Sequence, residues 1–170
     1  MYLRLSPDEE SIKDIFVSFF DAECSIERVR NAEESGFDAT AWERFIETGG
    51  PGMCLPESCG GGGADLTTAA IVANLLGTYV APIPFIEHVV AARLLASLDE
   101  SNANLPLLAT GEMIGSLALQ SLHDSTNAIV PAGAIANYII GLRGEEIVVA
   151  ENTTSASPLR NTANLPIARH

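Results

Sequence analysis

The sequence predicts an α+β protein: an N-terminal all-α helical bundle followed by the beginning of an antiparallel β-domain. Three observations carry this. Apolar residues recur at helical spacing, between recognisable caps, through the larger N-terminal part of the chain. After Met113 the apolar period shortens to that of strands. Two short runs rich in Ile and Val then flank the turn-forming stretch Arg143-Gly144-Glu145-Glu146. Helices first and strands afterwards suggest segregated layers or two units joined near Gly111, with a helical unit over 1–112 and a partial β-unit over 113–170.

Each element has its own signal. Ser6-Pro7-Asp8-Glu9 is a capping box with proline at the first helical position. Ile12, Ile15, Phe16, Phe19 and Phe20 follow as one apolar stripe, expected to face the core. Ile26–Glu34 is a short charged helical stretch, and Ser35-Gly36-Phe37-Asp38 a turn. Thr40 with Glu43 offers another capping box, after which Trp42, Phe45 and Ile46 share a face until Gly49-Gly50-Pro51-Gly52 ends the helix. Met53–Pro56 is expected to be an extended connector, and Glu57–Gly63 a glycine-rich loop. Asp65 reads as the N-cap of a nearly uncharged helix to Leu76, with Gly77 as its C′ residue. Such a helix belongs in the interior. Pro82 and Pro84 break the chain before a second apolar helix, Phe85–Ser97, whose polar marks are Glu87, His88 and Arg93. Leu105–Thr110 is a short helix. Met113–Leu119 reads as a strand, Tyr138–Leu142 and Ile147–Ala150 as a hairpin, and Glu151–His170 as polar loop.

Composition narrows the function. The 170 residues are 47% hydrophobic and 18% charged, enough apolar material for a core. Nine basic residues against 22 acidic ones give a formal charge of −13, which argues against a nucleic-acid partner. Twelve of the acids and five of the bases fall between Met1 and Thr48. The start lacks a basic and apolar leader, and no apolar run approaches the ~18–20 residues of a membrane span. Three cysteines, Cys24, Cys54 and Cys59, form no CxxC pair, which fits a reducing compartment and a cytoplasmic protein. His88, His123 and His170 are scattered, so no metal site is expected.

Catalytic patterns are sparse. Gly60–Gly63 before a helix invites an anion-loop reading, because helix N-termini offer free N–H groups. No Gly-Lys-Ser/Thr follows, no strand precedes, and Asp65 stands where an anion would sit, so the loop reads as a turn between helices. Ser58 has no nucleophile elbow, and Cys54 and Cys59 have no neighbour in sequence that would favour a thiolate. His88 on its apolar helix reads as a satisfied core histidine.

The order of motifs says more. Gly36-Phe37-Asp38, Trp42, Gly49-Gly50-Pro51-Gly52-Met53, Leu55-Pro56-Glu57 and Gly60-Gly61 with Gly63 resemble the N-terminal helical domain of acyl-CoA dehydrogenases. Ala81-Pro82-Ile83-Pro84 and Leu105–Glu112 continue the likeness. Leu117-Ala118-Leu119 is similar to the first strand of that family's middle β-domain, and Val130–Asn137 to the segment before its β-hairpin. The resemblance implies a helical domain, a β-domain and a further helical domain. It implies α,β-dehydrogenation of an acyl-CoA thioester: a carboxylate abstracts the α-proton and hydride passes from the β-carbon to N5 of FAD. It also implies an electron-transfer flavoprotein or similar acceptor, an oligomer of one or two kinds of chain, and a place in lipid metabolism, specifically fatty acid oxidation. Leu117, Leu119, Gln120 and Ser121 fall at the flavin-facing positions.

The chain departs from the pattern in two places. Family members are considerably longer, and their catalytic glutamate generally lies in the C-terminal helical domain, so no catalytic residue is carried over here. Where the family has a Thr/Ser-Glu pair and then Gly-Ser/Thr-Asp, this chain reads Gln120-Ser121-Leu122-His123-Asp124-Ser125-Thr126. Such divergence also resembles a non-catalytic subunit or interaction module that pairs with a complete partner.

Overall fold

A computed structural model describes residues 4–122, 128–153 and 156–170. The described chain runs α1 (Pro7–Glu23), α2 (Ile26–Asn31), α3 (Ala39–Glu47), a 3₁₀ turn (Glu57–Cys59), α4 (Leu66–Tyr79), α5 (Phe85–Leu98) and α6 (Leu105–Thr110). Strands β1 (Gly115–Leu117), β2 (Ile129–Val130), β3 (Tyr138–Arg143), β4 (Glu146–Glu151) and β5 (Ala168–Arg169) follow. This is the expected α+β order.

The caps form as their chemistry requires. Ser6 accepts from the Glu9 N–H while the Glu9 carboxylate accepts from the Ser6 N–H, closing the capping box. Asp65 accepts from both the N–H and the hydroxyl of Thr68 at 2.9 Å, and these bonds hold its carboxyl below the usual range. At α3 the cap is Asp38 and not Thr40: Asp38 accepts from the Ala41 N–H at 3.0 Å. The same carboxylate receives Arg28 at 3.0 Å, and Arg28 also pairs with Glu23, so one guanidinium fastens α1, α2 and α3 together.

The aromatic stripe of α1 is half as deep as its spacing suggests. Phe16 and Phe20 are buried and Phe19 is half-buried, whereas Ile15 is 57% exposed. Phe45 of α3 is the hub, with ring centroids 5.4–5.7 Å from those of Phe16, Phe19, Trp42 and Phe85. Trp42 also donates its indole N–H to the Gly111 carbonyl at 3.1 Å, tying α3 to the end of α6.

Three further expectations are corrected. Met53–Pro56 is not extended but a series of turns, in which Leu55 N–H bonds Gly52 and Met53 N–H bonds Gly50. Helix α4 passes through Gly77 and ends at Tyr79, with Val80 at φ 51° in the left-handed position. The Ala81 N–H reaches back to the Leu76 carbonyl and Val80 N–H to Gly77, so the Schellman closure forms without glycine at C′. The tail after Glu151 is not all loop: Ala168 and Arg169 pair antiparallel with Val130 and Ile129.

The sheet is mixed, not purely antiparallel. β3 and β4 make the expected hairpin, with Leu142 opposite Ile147. β1 is shorter than its apolar run and lies parallel to β3, Leu117 opposite Ile140, giving the order β1-β3-β4. The reason is connection length. A tight turn forces antiparallel pairing, but the long segment between Leu117 and Tyr138 works as a crossover and frees β1 to run alongside β3.

Candidate functional site

The sequence directs attention to the end of β1, so its surroundings come first. α5 packs across β1 through small residues: a Cβ on Gly115 would sit 3.3 Å from that of Ala91. His88, fully buried on α5, fixes the register. Its Nε2 lies 2.9 Å from the Leu108 carbonyl and its Nδ1 3.2 Å from the Gly115 N–H. A neutral ring protonated on Nε2 donates to the first and accepts from the second. Burial pushes its pKa down to about 4. His88 is thus the core histidine expected from sequence.

A test follows from the sign of that shift. The unfolded histidine titrates near 6.5, so the unfolded state takes the proton first, and stability is lost as pH falls from about 6.5 toward 4. The full effect is about 3 kcal/mol. His88→Gln, which keeps a donor and an acceptor without titrating, should flatten this part of the stability–pH curve measured by denaturant unfolding. A slope as steep in His88→Gln as in the parent would show that another group is responsible.

Beyond β1 the four sequence-selected residues divide. The Leu117 side chain is half-buried against the cluster containing Ile140 and Ala91, so it turns into the core. Leu119 projects outward at 72% exposure. Gln120 is exposed, and its side-chain oxygen accepts from the Ile129 N–H at 3.3 Å. Ser121 donates its hydroxyl to the Leu142 carbonyl at 3.1 Å. Backbone bonds to β3 are made by Ala118, onto Ile140, and by Leu122, onto Leu142. Between them the N–H groups of Leu119, Gln120 and Ser121 have no backbone acceptor among the described residues. His123, Asp124, Ser125 and Thr126, the rest of the divergent stretch, lie outside the described residues.

This edge therefore offers main-chain N–H groups, a carboxamide and an apolar side chain within three residues. A flavin's pyrimidine edge carries carbonyl oxygens and ring nitrogens that need such donors and acceptors, and its ring system needs an apolar neighbour. The donor set fits that group.

The glycine-rich loop does different work. Gly61, Gly62, Gly63 and Ala64 give their N–H groups to Pro56, Gly52, Leu55 and Met53. No ring of free N–H groups remains for an anion, and a Cβ on Gly61 would sit 2.3 Å from the Leu55 carbonyl. The loop is a packed corner. Arg93, one of the polar marks on α5, donates to the Cys54 carbonyl at 2.9 Å and holds that corner from behind. Sequence spacing could not find this contact, because the partners are 39 positions apart. Arg93 also supplies Cys54 with the positive neighbour that its local sequence lacks. Burial outweighs it, and both Cys54 and Cys24 have pKa values pushed up, Cys24 to about 11. Neither is a ready thiolate. Among the described residues no group of three His, Cys, Asp or Glu side chains gathers to hold a metal, and no helix is long and apolar enough to cross a membrane.

The fold has counterparts among known proteins. The curated relative IpdE2, an acyl-CoA dehydrogenase of Mycolicibacterium smegmatis, is 29% identical over 154 residues, covering 89% of this chain and 47% of the relative. The chain thus spans about half the length of that relative. Among solved structures, the Tcur3481–Tcur3483 steroid ACAD superposes with a TM-score of 0.81 at 20% identity, over 95% of this chain and 54% of that one. The ChsE4–ChsE5 complex from Mycobacterium tuberculosis gives 0.77 at 17% identity, over 99% and 59%. Acyl-CoA dehydrogenase complexed with FAD from Bacillus anthracis gives 0.78 at 20%, over 97% and 36%. At these identities the structures establish the fold alone. The family pattern described as acyl-CoA dehydrogenase, N-terminal domain, matches residues 6–112, and on that match the chain belongs to the acyl-CoA dehydrogenase family.

Proposed function

We propose that this chain forms the N-terminal helical unit (1–112) and part of the middle β-unit (113–170) of a flavin-dependent acyl-CoA dehydrogenase. The observation that carries the reading is the exposed edge at Leu119, Gln120 and Ser121, where main-chain N–H groups have no backbone acceptor among the described residues. Bound there, FAD would supply the hydride acceptor for α,β-dehydrogenation of an acyl-CoA thioester. The chain's own residues place and shield it. Gln120, steadied by the Ile129 N–H, keeps its NH₂ for a ring carbonyl. Leu119 presents an apolar wall, and the backbone around Leu117 holds the strand in register with Ile140. The family's catalytic carboxylate lies in the half absent from this chain, and an electron-transfer flavoprotein or similar acceptor would reoxidise the cofactor.

A second reading is a non-catalytic subunit completed by a fuller partner. One observation favours it. Leu119, Leu142 and Ile147 leave the end of one sheet face apolar and open, at 72%, 45% and 45% exposure. Another polypeptide would cover that end in the assembled protein.

Flavin absorbance of the purified chain separates the two. A yellow chain supports the first reading. A colourless chain that gains flavin only with a second subunit supports the second. Gln120→Ala is expected to weaken flavin retention about fivefold to tenfold, the cost of one hydrogen bond. Unchanged retention would remove Gln120 from the site. Dehydrogenation by this chain alone with an artificial electron acceptor would show that a base lies within it.

A further inference from the structure

Two recesses lie away from the end of β1, on the seam between the helices and the C-terminal segment. One cleft of about 480 Å³ is walled by α2, the end of α4 and residues 162–165, with Val29, Leu76, Val80, Pro82 and Leu165 supplying apolar surface. A second, of about 610 Å³, adjoins it and is more polar. The two share Arg30, Glu33, Asn164 and Leu165, so they adjoin along that row as two parts of one grooved seam. Volumes of this order are those of small-molecule sites, which span roughly 300–1,000 Å³.

Two features make the groove more than a gap. The first is Val80. A β-branched residue in the left-handed region is a rare and strained choice, and Gly or Asn would close the helix without strain. Here Val80 is 67% exposed, so its isopropyl group is held at the groove wall and not in the core. The second is charge. Arg30 and Arg160, 130 positions apart in sequence, both line the polar recess, and neither makes an ion pair among the described residues. Opposing them are Glu33, whose carboxylate accepts from the Asn164 amide at 3.3 Å, and Glu34. In a chain of net charge −13, two guanidinium groups without an ion pair among the described residues on one recess, Arg30 bordering the apolar cleft as well, are a local exception.

We infer that this groove binds a medium-chain aliphatic carboxylate, its chain along Val80, Leu76 and Leu165 and its head at Arg30 and Arg160. A methylene occupies about the volume of a water molecule, roughly 30 Å³, so the apolar part takes a chain of about ten carbons with room to spare. The site is independent of the flavin-facing edge, and its test does not pass through flavin or turnover.

Titration calorimetry of the purified protein with decanoate at low ionic strength should give saturable one-site binding. The double variant Arg30→Ala, Arg160→Ala should bind at least tenfold more weakly. Decanol, with the same chain and no charge, should also bind at least tenfold more weakly than decanoate. Val80→Asn keeps a residue that tolerates the left-handed backbone, so it should fold with an unchanged or higher melting temperature yet bind decanoate about fivefold more weakly. Absence of saturable decanoate binding would overturn the site. Equal affinity for decanol, or an unaltered arginine double variant, would overturn the carboxylate assignment. Full affinity in Val80→Asn would remove the apolar wall from it.

Discussion

Replacing Phe45 with Ala is expected to remove about 3–5 kcal/mol of folding stability. Phe45 has no exposed surface and touches four other aromatic rings, drawn from α1, α3 and α5. Its ring also fills the space that Gly50 leaves: a Cβ on Gly50 would stand 2.4 Å from the Phe45 Cζ. Truncation opens a cavity that rigid helices on three sides cannot close. Total stabilities are typically about 5–15 kcal/mol, so the loss is a large fraction of the whole. Urea unfolding followed by circular dichroism measures this. A loss below about 1.5 kcal/mol would show that the aromatic cluster repacks freely.

The second large effect is expected at Gly36, in the turn between α2 and α3. Its backbone is left-handed, with φ +67°. A side chain there costs about 1–2 kcal/mol through local sterics alone. A Cβ would in addition lie 2.0 Å from the Asn164 carbonyl oxygen and 3.0 Å from the Pro166 ring. Those atoms belong to the C-terminal segment, so Gly36→Ala strains the seam between the helices and the strands. Adding ~1–3 kcal/mol for the forced displacement, the loss should be about 2–5 kcal/mol. Gly49→Ala is the control. Gly49 is also left-handed, at φ +72°, but nothing lies within 4 Å of its Cβ position. It should lose only the conformational part. Equal losses in the two variants would mean that the contact with Asn164 carries no strain.

Position 36 also shows how far the sequence reaches. Ser35-Gly36-Phe37-Asp38 reads as a turn because glycine and its polar neighbours favour one. Nothing in the local sequence reveals that the glycine is pressed against a carbonyl 128 positions later. His88 divides the same way. Its place on an apolar helix marks it as a core residue, but its two bonding partners, Leu108 and Gly115, come from α6 and β1. At the end of β1 the motif order selected Leu117, Leu119, Gln120 and Ser121 together. Strand alternation would have put Leu117 and Leu119 on one face, but β1 ends at Leu117, and beyond that end Leu119 turns to solvent while Leu117 stays packed against the core.

The sequence by itself determined the helix starts at Ser6 and Asp65, the hairpin around Gly144, the α+β order and the family. Each rests on interactions between residues close in the chain, or on a motif order that survives without knowledge of contacts. Only the tertiary structure decided the parallel course of β1, the choice of Asp38 over Thr40 as a cap, the Arg93 anchor behind the glycine corner, and the placing of Arg30 and Arg160 on one recess. Those outcomes depend on which distant surfaces pack together. Burial and long-range hydrogen bonds choose among alternatives that local propensity leaves nearly equal in energy.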